Sequence, residues 1–265
     1  MVKRVDLKTA APADGRAGTD ASAVHAHLRD AILDGKLEPG EIISQVKLAE
    51  QLETSRTPLR EALRMLQREG LVEGEANRRV RVSSLSLVDL DQLYALRIVT
   101  EALAIRLAVP LMTAEDDTLI EKAVEAMDAA AAKREVGRWE REHRNFHQLL
   151  VSRSGARTVQ SAADLLDHSE RYRRLYIAHD SQVFAVGSAE HREIAAACRE
   201  RDEQRASRLL GRHLLRTAVT VMATESPEFE PRAVRVALRS VDAGKEPPAP
   251  APKKRRRRAP RAASS

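Results

Sequence analysis

TSRTPLREALRMLQREG, residues 54–70, reads as a helix with two faces. At about 100° per residue, Arg56, Thr57, Arg60, Glu61, Arg64, Gln67 and Arg68 fall on one arc, with Leu59, Ala62, Leu63 and Leu66 on the opposite one. Ser55 and the Thr57-Pro58 pair supply a capped start and a pre-set first turn, and Gly70 supplies a stop. An amino end that carries Ser55, Arg56 and Thr57 suits the major groove of DNA, where side chains meet base edges and flanking phosphates. An ordinary amphipathic surface helix has the same stripe, so the flanking sequence decides between the two readings.

Upstream, a helix is expected over 21–34, with Val24, Leu28, Ala31 and Ile32 on one face, and Gly35 and Pro39-Gly40 then force a turn. A short helix over 45–52 offers Leu48, Ala49 and Leu52 to the same core, and only Glu53 and Thr54 separate it from the basic helix. Short helix, tight turn and basic helix is the helix-turn-helix order. Downstream, Leu71-Val72-Glu73 and Val80-Arg81-Val82 alternate around a polar turn and predict a β-hairpin wing, with Asn77, Arg78 and Arg79 at its tip. From Ser55 to Val82 there are seven Arg against four Glu, a local surplus of positive charge.

The run GKLEPGEIISQVKLAEQLETSRTPLREALRMLQREGLVEGEANRRVRV, residues 35–82, resembles the winged-helix domain of GntR-family bacterial transcription regulators. That resemblance implies that Ser55, Arg56, Thr57, Arg60 and the wing-tip residues around Asn77 contact double-stranded operator DNA. Arg64, Arg78 and Arg79 join them on charge and position. Two positions depart from the family pattern: Glu53-Thr54 stands where Gly-Val is usual, and Asn77 stands where Gly is usual.

Aromatic content of 3% together with abundant Ala, Leu, Arg and Glu points to a mainly α protein. No apolar run approaches the roughly 20 residues that span a bilayer, and the first 20 residues lack the apolar segment of a secretory signal. The expected location is therefore the cytoplasm, on the nucleoid when DNA is bound, with no membrane partner. The single cysteine, Cys198, excludes an internal disulfide and a Cys-based zinc finger. The formal charge of +6 is not by itself a nucleic-acid signature, because residues 247–265 hold seven Lys or Arg and no acid, which leaves −1 for the rest.

Four segments are expected: a disordered arm over 1–20, the DNA-binding domain over 21–83, an all-helical ligand-binding and dimerisation domain over 86–224, and a linker with a basic disordered tail over 225–265. In the second half, helices are predicted over 86–109, 114–133, 135–153, 156–178, 188–200 and 202–223, with a possible further one over 232–241. Helices of this length with short connections make an antiparallel six- to seven-helix bundle.

Four of the eight histidines lie on apolar stripes: His143 and His147 with Trp139, Phe146 and Leu150, His191 with Ile194 and Cys198, and His213 with Leu210 and Leu214. Each could be a separate hydrogen-bonded core residue. Alternatively they converge on one divalent cation, zinc foremost, with nickel, manganese or iron as other candidates. The segments YALRIVTEALAIRLA, HRNFHQLLVSRSG, AEHREIAAACRERD and GRHLLRT resemble the FCD ligand-binding domain of the FadR subfamily. The resemblance implies metal ligation by His147, His191 and His213, with His143 where Asp is commonest. It also implies a small organic acid as effector, for which Arg97 is a candidate contact; Arg171 and Arg174, in the run SERYRRLY, are weaker candidates. The i+4 neighbour Glu101 offers Arg97 a simple intrahelical ion pair instead.

Together these features point to a ligand-responsive transcription regulator, expected as a repressor, that binds a palindromic operator as a homodimer. A mononuclear metal hydrolase using the four histidines is the enzymatic alternative, although no HExxH motif or nucleophile elbow accompanies them. A packaging protein acting through its basic tail is the other.

Overall fold

The computed structural model describes residues 20–74, 79–179 and 183–242. The expected N-terminal arm up to residue 19, the wing-tip residues Asn77 and Arg78, and the basic tail lie outside the described residues. Ten helices and a small three-stranded sheet are present among those described. No helix among them is long and apolar enough to cross a membrane.

The N-terminal unit runs α1 (Ala21–Leu33), β1 (Ile42–Ile43), α2 (Gln45–Gln51), α3 (Arg56–Arg68), β2 (Val72–Glu73) and β3 (Val80–Val82). Leu59, Ala62, Leu63 and Leu66 of α3 are buried against Val24 and Leu28 of α1 and Val80 of β3 in one core. Burying each of those leucines contributes on the order of 2 kcal/mol, so the apolar arc fixes which way the basic arc points. Ser55 occupies the N-cap with extended backbone, but its hydroxyl makes no cap bond, contrary to the expected capped start.

The opposite end of α3 is firmly closed. Gly70 adopts φ +67, Leu71 N–H donates to Leu66 O at 3.0 Å and Gly70 N–H to Gln67 O at 3.1 Å, the paired bonds of a Schellman stop. The sheet has the order β1-β3-β2, with Val72 opposite Val82 and Ile43 opposite Val80. The hairpin β2–β3 was expected; β1 was not, because two residues carry no period of their own.

The second unit is built from α4 (Leu87–Ala108), a 3-10 turn (Val109–Leu111), α5 (Ala114–Ala132), α6 (Val136–Val151), α7 (Ala156–His179), α8 (Val183–Arg199), α9 (Glu203–Glu225) and α10 (Ala233–Asp242). Thr113 and Asp116 form a reciprocal capping box that starts α5. α8 begins at Val183, so the break expected over 180–187 is shorter than the sequence suggested. α4 is the central helix and packs against α6, α7, α9 and α10.

The segment from 225 onward, expected as linker and tail, includes α10, which docks on the bundle as its seventh helix. The buried carboxylate of Asp91 accepts from the backbone N–H groups of Arg232, Ala233 and Val234 at 2.8–3.1 Å and caps α10 from across the fold. Gly211 on α9 permits the close approach: a Cβ there would meet Leu238 Cδ1 at 3.3 Å.

The turn before α3 carries local strain. Glu53 has φ +49, a left-handed conformation that costs a side-chain-bearing residue about 1–2 kcal/mol and glycine almost nothing. Glu53→Gly is therefore expected to stabilise the fold by roughly 0.5–1 kcal/mol, after allowing for the greater freedom of glycine in the unfolded chain, and so to raise the urea midpoint. An unchanged or lower midpoint would show that Glu53 is not strained.

Candidate functional site

The outer arc of α3 is solvent-facing: Ser55, Arg56, Thr57, Arg60 and Arg64 are all exposed. Arg56, Thr57 and Arg60 join Arg79 of the wing along a groove of about 740 Å³ between α3, α2 and the sheet. Lys47 at the start of α2 lines the same groove, so its charged residues are four cations and no acid. Lys47 escaped the sequence reading because α2 was read for its apolar face alone. Arg64 sits further along α3, paired with Glu61 at 2.6 Å in an exposed contact worth a few tenths of a kcal/mol. Gln67 Nε2 donates to Gly74 O at 2.9 Å and ties α3 to the base of the wing. Gly74 is required there, since a Cβ would lie 2.8 Å from Arg79 O.

The bundle brings together all four expected histidines. His143 and His147 come from α6, His191 from α8 and His213 from α9; each is at most 5% exposed. One possible donor atom from each lies within 4.8 Å of all the others. Ring centroids are 4.5 Å apart for His143 and His147 and 4.7 Å for His191 and His213. Trp139 stacks on His143 at 4.7 Å, and Phe146 lies 4.9 Å from His191, so apolar rings wall the cluster.

Hydrogen bonding decides which ring nitrogen each histidine can offer. His147 Nδ1–H donates to Glu101 Oε2 at 2.8 Å and His213 Nδ1–H to Glu190 Oε2 at 2.7 Å. His143 Nδ1, His147 Nε2 and His191 Nε2 are buried with no partner. An orphaned buried polar atom costs about 1–3 kcal/mol, so these three nitrogens call for a partner that the described residues do not supply. A carboxylate behind a ligating imidazole, fixing its tautomer, is the arrangement that metal sites use. The donor set fits a divalent transition metal.

The electrostatics agree. Burial holds all four imidazoles below the usual histidine range, which keeps them neutral near pH 7, the form that binds metal. His147 falls to about 4 by burial, although Glu101 pulls the other way. Burial opposes ionisation of Glu101 itself, but Arg97 and then His147 outweigh it and hold the carboxyl at about 2. Glu190 is likewise held at about 2, burial being outweighed by bonds from His213 and Arg216.

Arg97 is fully buried and forms the intrahelical pair, its Nε donating to Glu101 Oε1 at 2.7 Å. Its Nη1 donates to Ser169 Oγ at 3.0 Å, while Nη2 has no partner. Arg171, expected at the effector, is placed elsewhere: it donates to Gly70 O and to Asp89, both at 2.9 Å, at the junction with the N-terminal unit. The cause is helical phase, since Arg171 lies about 200° around α7 from Ser169. Arg174 also turns to the junction, where it meets Asp34 and Glu170. The guanidinium in the run SERYRRLY that faces inward is Arg173, 3% exposed and bonded to Glu140 at 2.9 Å and Ser169 at 2.5 Å. Its spacing of four from Ser169 was the available signal.

Comparison with known proteins follows the same division. Residues 20–82 match the family "Bacterial regulatory proteins, gntR family" and residues 92–216 match the FCD domain. The chain is 34% identical over 142 residues to the HTH-type transcriptional regulator YdhC of Bacillus subtilis, covering 53% of this chain and 62% of that one, so it spans less than two thirds of that relative. It is 30% identical over 200 residues to the HTH-type transcriptional repressor GlaR of Escherichia coli, covering 71% of this chain and 89% of the relative. The fold resembles E. coli McbR/YncC with a TM-score of 0.67 at 22% identity, over 78% of this chain and 98% of that one. The chain belongs to the gntR family of bacterial regulatory proteins, in the branch with an FCD domain, and is a DNA-binding transcriptional regulator rather than an enzyme.

Proposed function

We propose that the protein is a ligand-responsive repressor that binds a palindromic operator as a homodimer and takes a small organic acid at a metal centre formed by His143, His147, His191 and His213. One observation carries the reading: four buried imidazoles from three helices converge, and three ring nitrogens among them lack any partner. A divalent metal, zinc foremost with nickel, manganese or iron as alternatives, satisfies those nitrogens and supplies a Lewis-acid centre for a carboxylate. The unpartnered Arg97 Nη2 is the matching donor on α4. In the N-terminal unit, Ser55, Arg56, Thr57 and Arg60 read the operator, with Arg64, Asn77, Arg78 and Arg79 holding its backbone. Residues 21–83 form the reader and 86–224 the effector domain, to which α10 is added.

Dimerisation is supported by α4 and the 3-10 turn that follows it. Leu96, Val99, Leu103, Leu107 and Leu111 follow one another at spacings of three or four and are 46–62% exposed, an apolar stripe that a second copy would cover. Two reading helices must reach half-sites about one DNA turn apart, so a ligand that favours one dimer geometry changes operator affinity. GlaR is named a repressor, which supports the same direction of control here.

Arg56→Ala is expected to weaken binding to an operator fragment recovered by genomic selection by about 1–3 kcal/mol, with helicity and metal content unchanged; unaltered affinity would remove Arg56 from the interface. Metal analysis of protein purified without an affinity tag should find about one transition-metal ion per chain, reduced in His191→Ala. A fully stable, metal-free wild type would return the histidines to a packing role. Acidification gives an independent check on metal-free protein. His147 titrates at about 4 when folded against about 6.5 unfolded, so the unfolded chain binds more protons between these values. Stability present above pH 6.5 should fall by up to roughly 3 kcal/mol toward pH 4 from this residue alone. A flat chemical-denaturation profile over that range would contradict the buried, neutral assignment.

A further inference from the structure

α7 faces the histidine site on one side and the DNA reader on the other, and neighbouring residues divide the two tasks. Inward, Ser169 is fully buried; its hydroxyl accepts from Arg97 Nη1 at 3.0 Å and Arg173 Nη1 at 2.5 Å and donates to Leu166 O at 2.7 Å. Arg97 holds Glu101, and Glu101 accepts from His147. Outward, the flanking residues hold the end of the reading helix. His168 Nε2–H donates to Arg68 O at 2.6 Å and Arg171 to Gly70 O at 2.9 Å. The His168 ring stands 3.6 Å from where a Cβ on Gly70 would be.

Between these contacts sits Glu170, 2% exposed, whose carboxylate accepts from Arg29 of α1, Arg144 of α6 and Arg174 of α7. Arg29 also donates to Glu69 at 2.8 Å, and Glu69 is bonded to His25 of α1. Removing one partner from a buried ion cluster leaves a charge uncompensated, so such a clasp opens or closes as a unit. Four hydrogen bonds and one peptide link thus separate His147 from the carbonyl of Arg68.

We propose that residues 168–171 of α7 are the regulatory coupling element of this protein, transmitting occupancy of the histidine site to α3 through Ser169 on one face and His168, Glu170 and Arg171 on the other. The inference rests on the proposed function, since it takes the histidine site as the one that is occupied. A ligand or metal that draws on His147 or Arg97 alters the partners left to Ser169. Within one helical turn Ser169 cannot shift without carrying its neighbours. The bonds of His168 and Arg171 end on the carbonyls of Arg68 and Gly70 at the C-terminal end of α3, so the reader is reoriented at the end opposite the DNA.

Coupling of this kind is reciprocal: zinc must change operator affinity by the same factor by which operator changes zinc affinity. With full-length protein, zinc as the probe and an operator fragment from genomic selection, the wild type is expected to show a factor of about 10 in both directions. His168→Ala should bring that factor close to 1 while zinc affinity without DNA stays within about twofold of wild type. Glu170→Gln, which keeps the side-chain shape, should do the same, and Gln160→Ala, on the exposed face of α7, should keep the wild-type factor. Circular dichroism establishes that each variant is folded. Zinc and operator that both bind the wild type without affecting one another would overturn the coupling and leave the proposed function standing. Folded His168→Ala and Glu170→Gln proteins with the full wild-type factor would do likewise. A wild type that takes up no zinc would overturn both.

Discussion

The buried pair between Arg97 and Glu101 is the interaction around which the bundle is arranged. Taking two charges out of water costs several kcal/mol per ion, recovered only where the geometry is good and the remaining polar atoms are satisfied. Both residues are on α4, the helix that touches most of the others, and their side chains are at most 2% exposed. Glu101 uses its second oxygen to orient His147, and Arg97 uses a second nitrogen to reach Ser169 on α7. A single pair one helical turn apart therefore fixes a candidate metal ligand in one direction and the neighbouring helix in the other. Arg97 leaves its Nη2, buried, without a partner.

The DNA reader follows a different logic. Among the described residues its small core is apolar and contains no buried ion pair, being built from α1, α2, α3 and the sheet. No charged side chain among its described residues is fully buried; Lys47, Arg56, Arg60 and Arg79 line the groove beside α3, and Arg29 and Glu69 lie toward α7. Positive charge gathers at the amino end of α3, where Arg56 and Arg60 face the groove, and carbonyls are held at its other end by His168 and Arg171. The two ends of one thirteen-residue helix thus have different surroundings, the cationic groove at one and α7 at the other, while its apolar face packs into the core.

Much of this was legible in the residue pattern. Periodicity of 3.6 placed α1, α3, α4, α5, α6 and α9 to within a residue or two at each end, because each buries a continuous stripe. The same periodicity put four histidines on inward faces. Other features have no local signature. β1 is two residues long and exists because β3 offers an edge. Asp91 caps α10 across more than a hundred residues, a contact that no window along the chain can contain. In the run SERYRRLY three arginines look equivalent, yet Arg173 turns to the core while Arg171 and Arg174 turn to the reader.

What the chain declares by itself is therefore the set of elements, the face each one buries and the residue types on those faces, since these depend on spacing along a single helix. It also declares the regulator family, through dense runs of matching residues. Tertiary packing alone decides which polar atoms find partners. It gives Nδ1 of His147 and of His213 to carboxylates, leaves three ring nitrogens unsatisfied at one point, and assigns Arg97 to Glu101. Those outcomes depend on distances between helices far apart in sequence, and a hydrogen bond tolerates only a few tenths of an ångström in that distance.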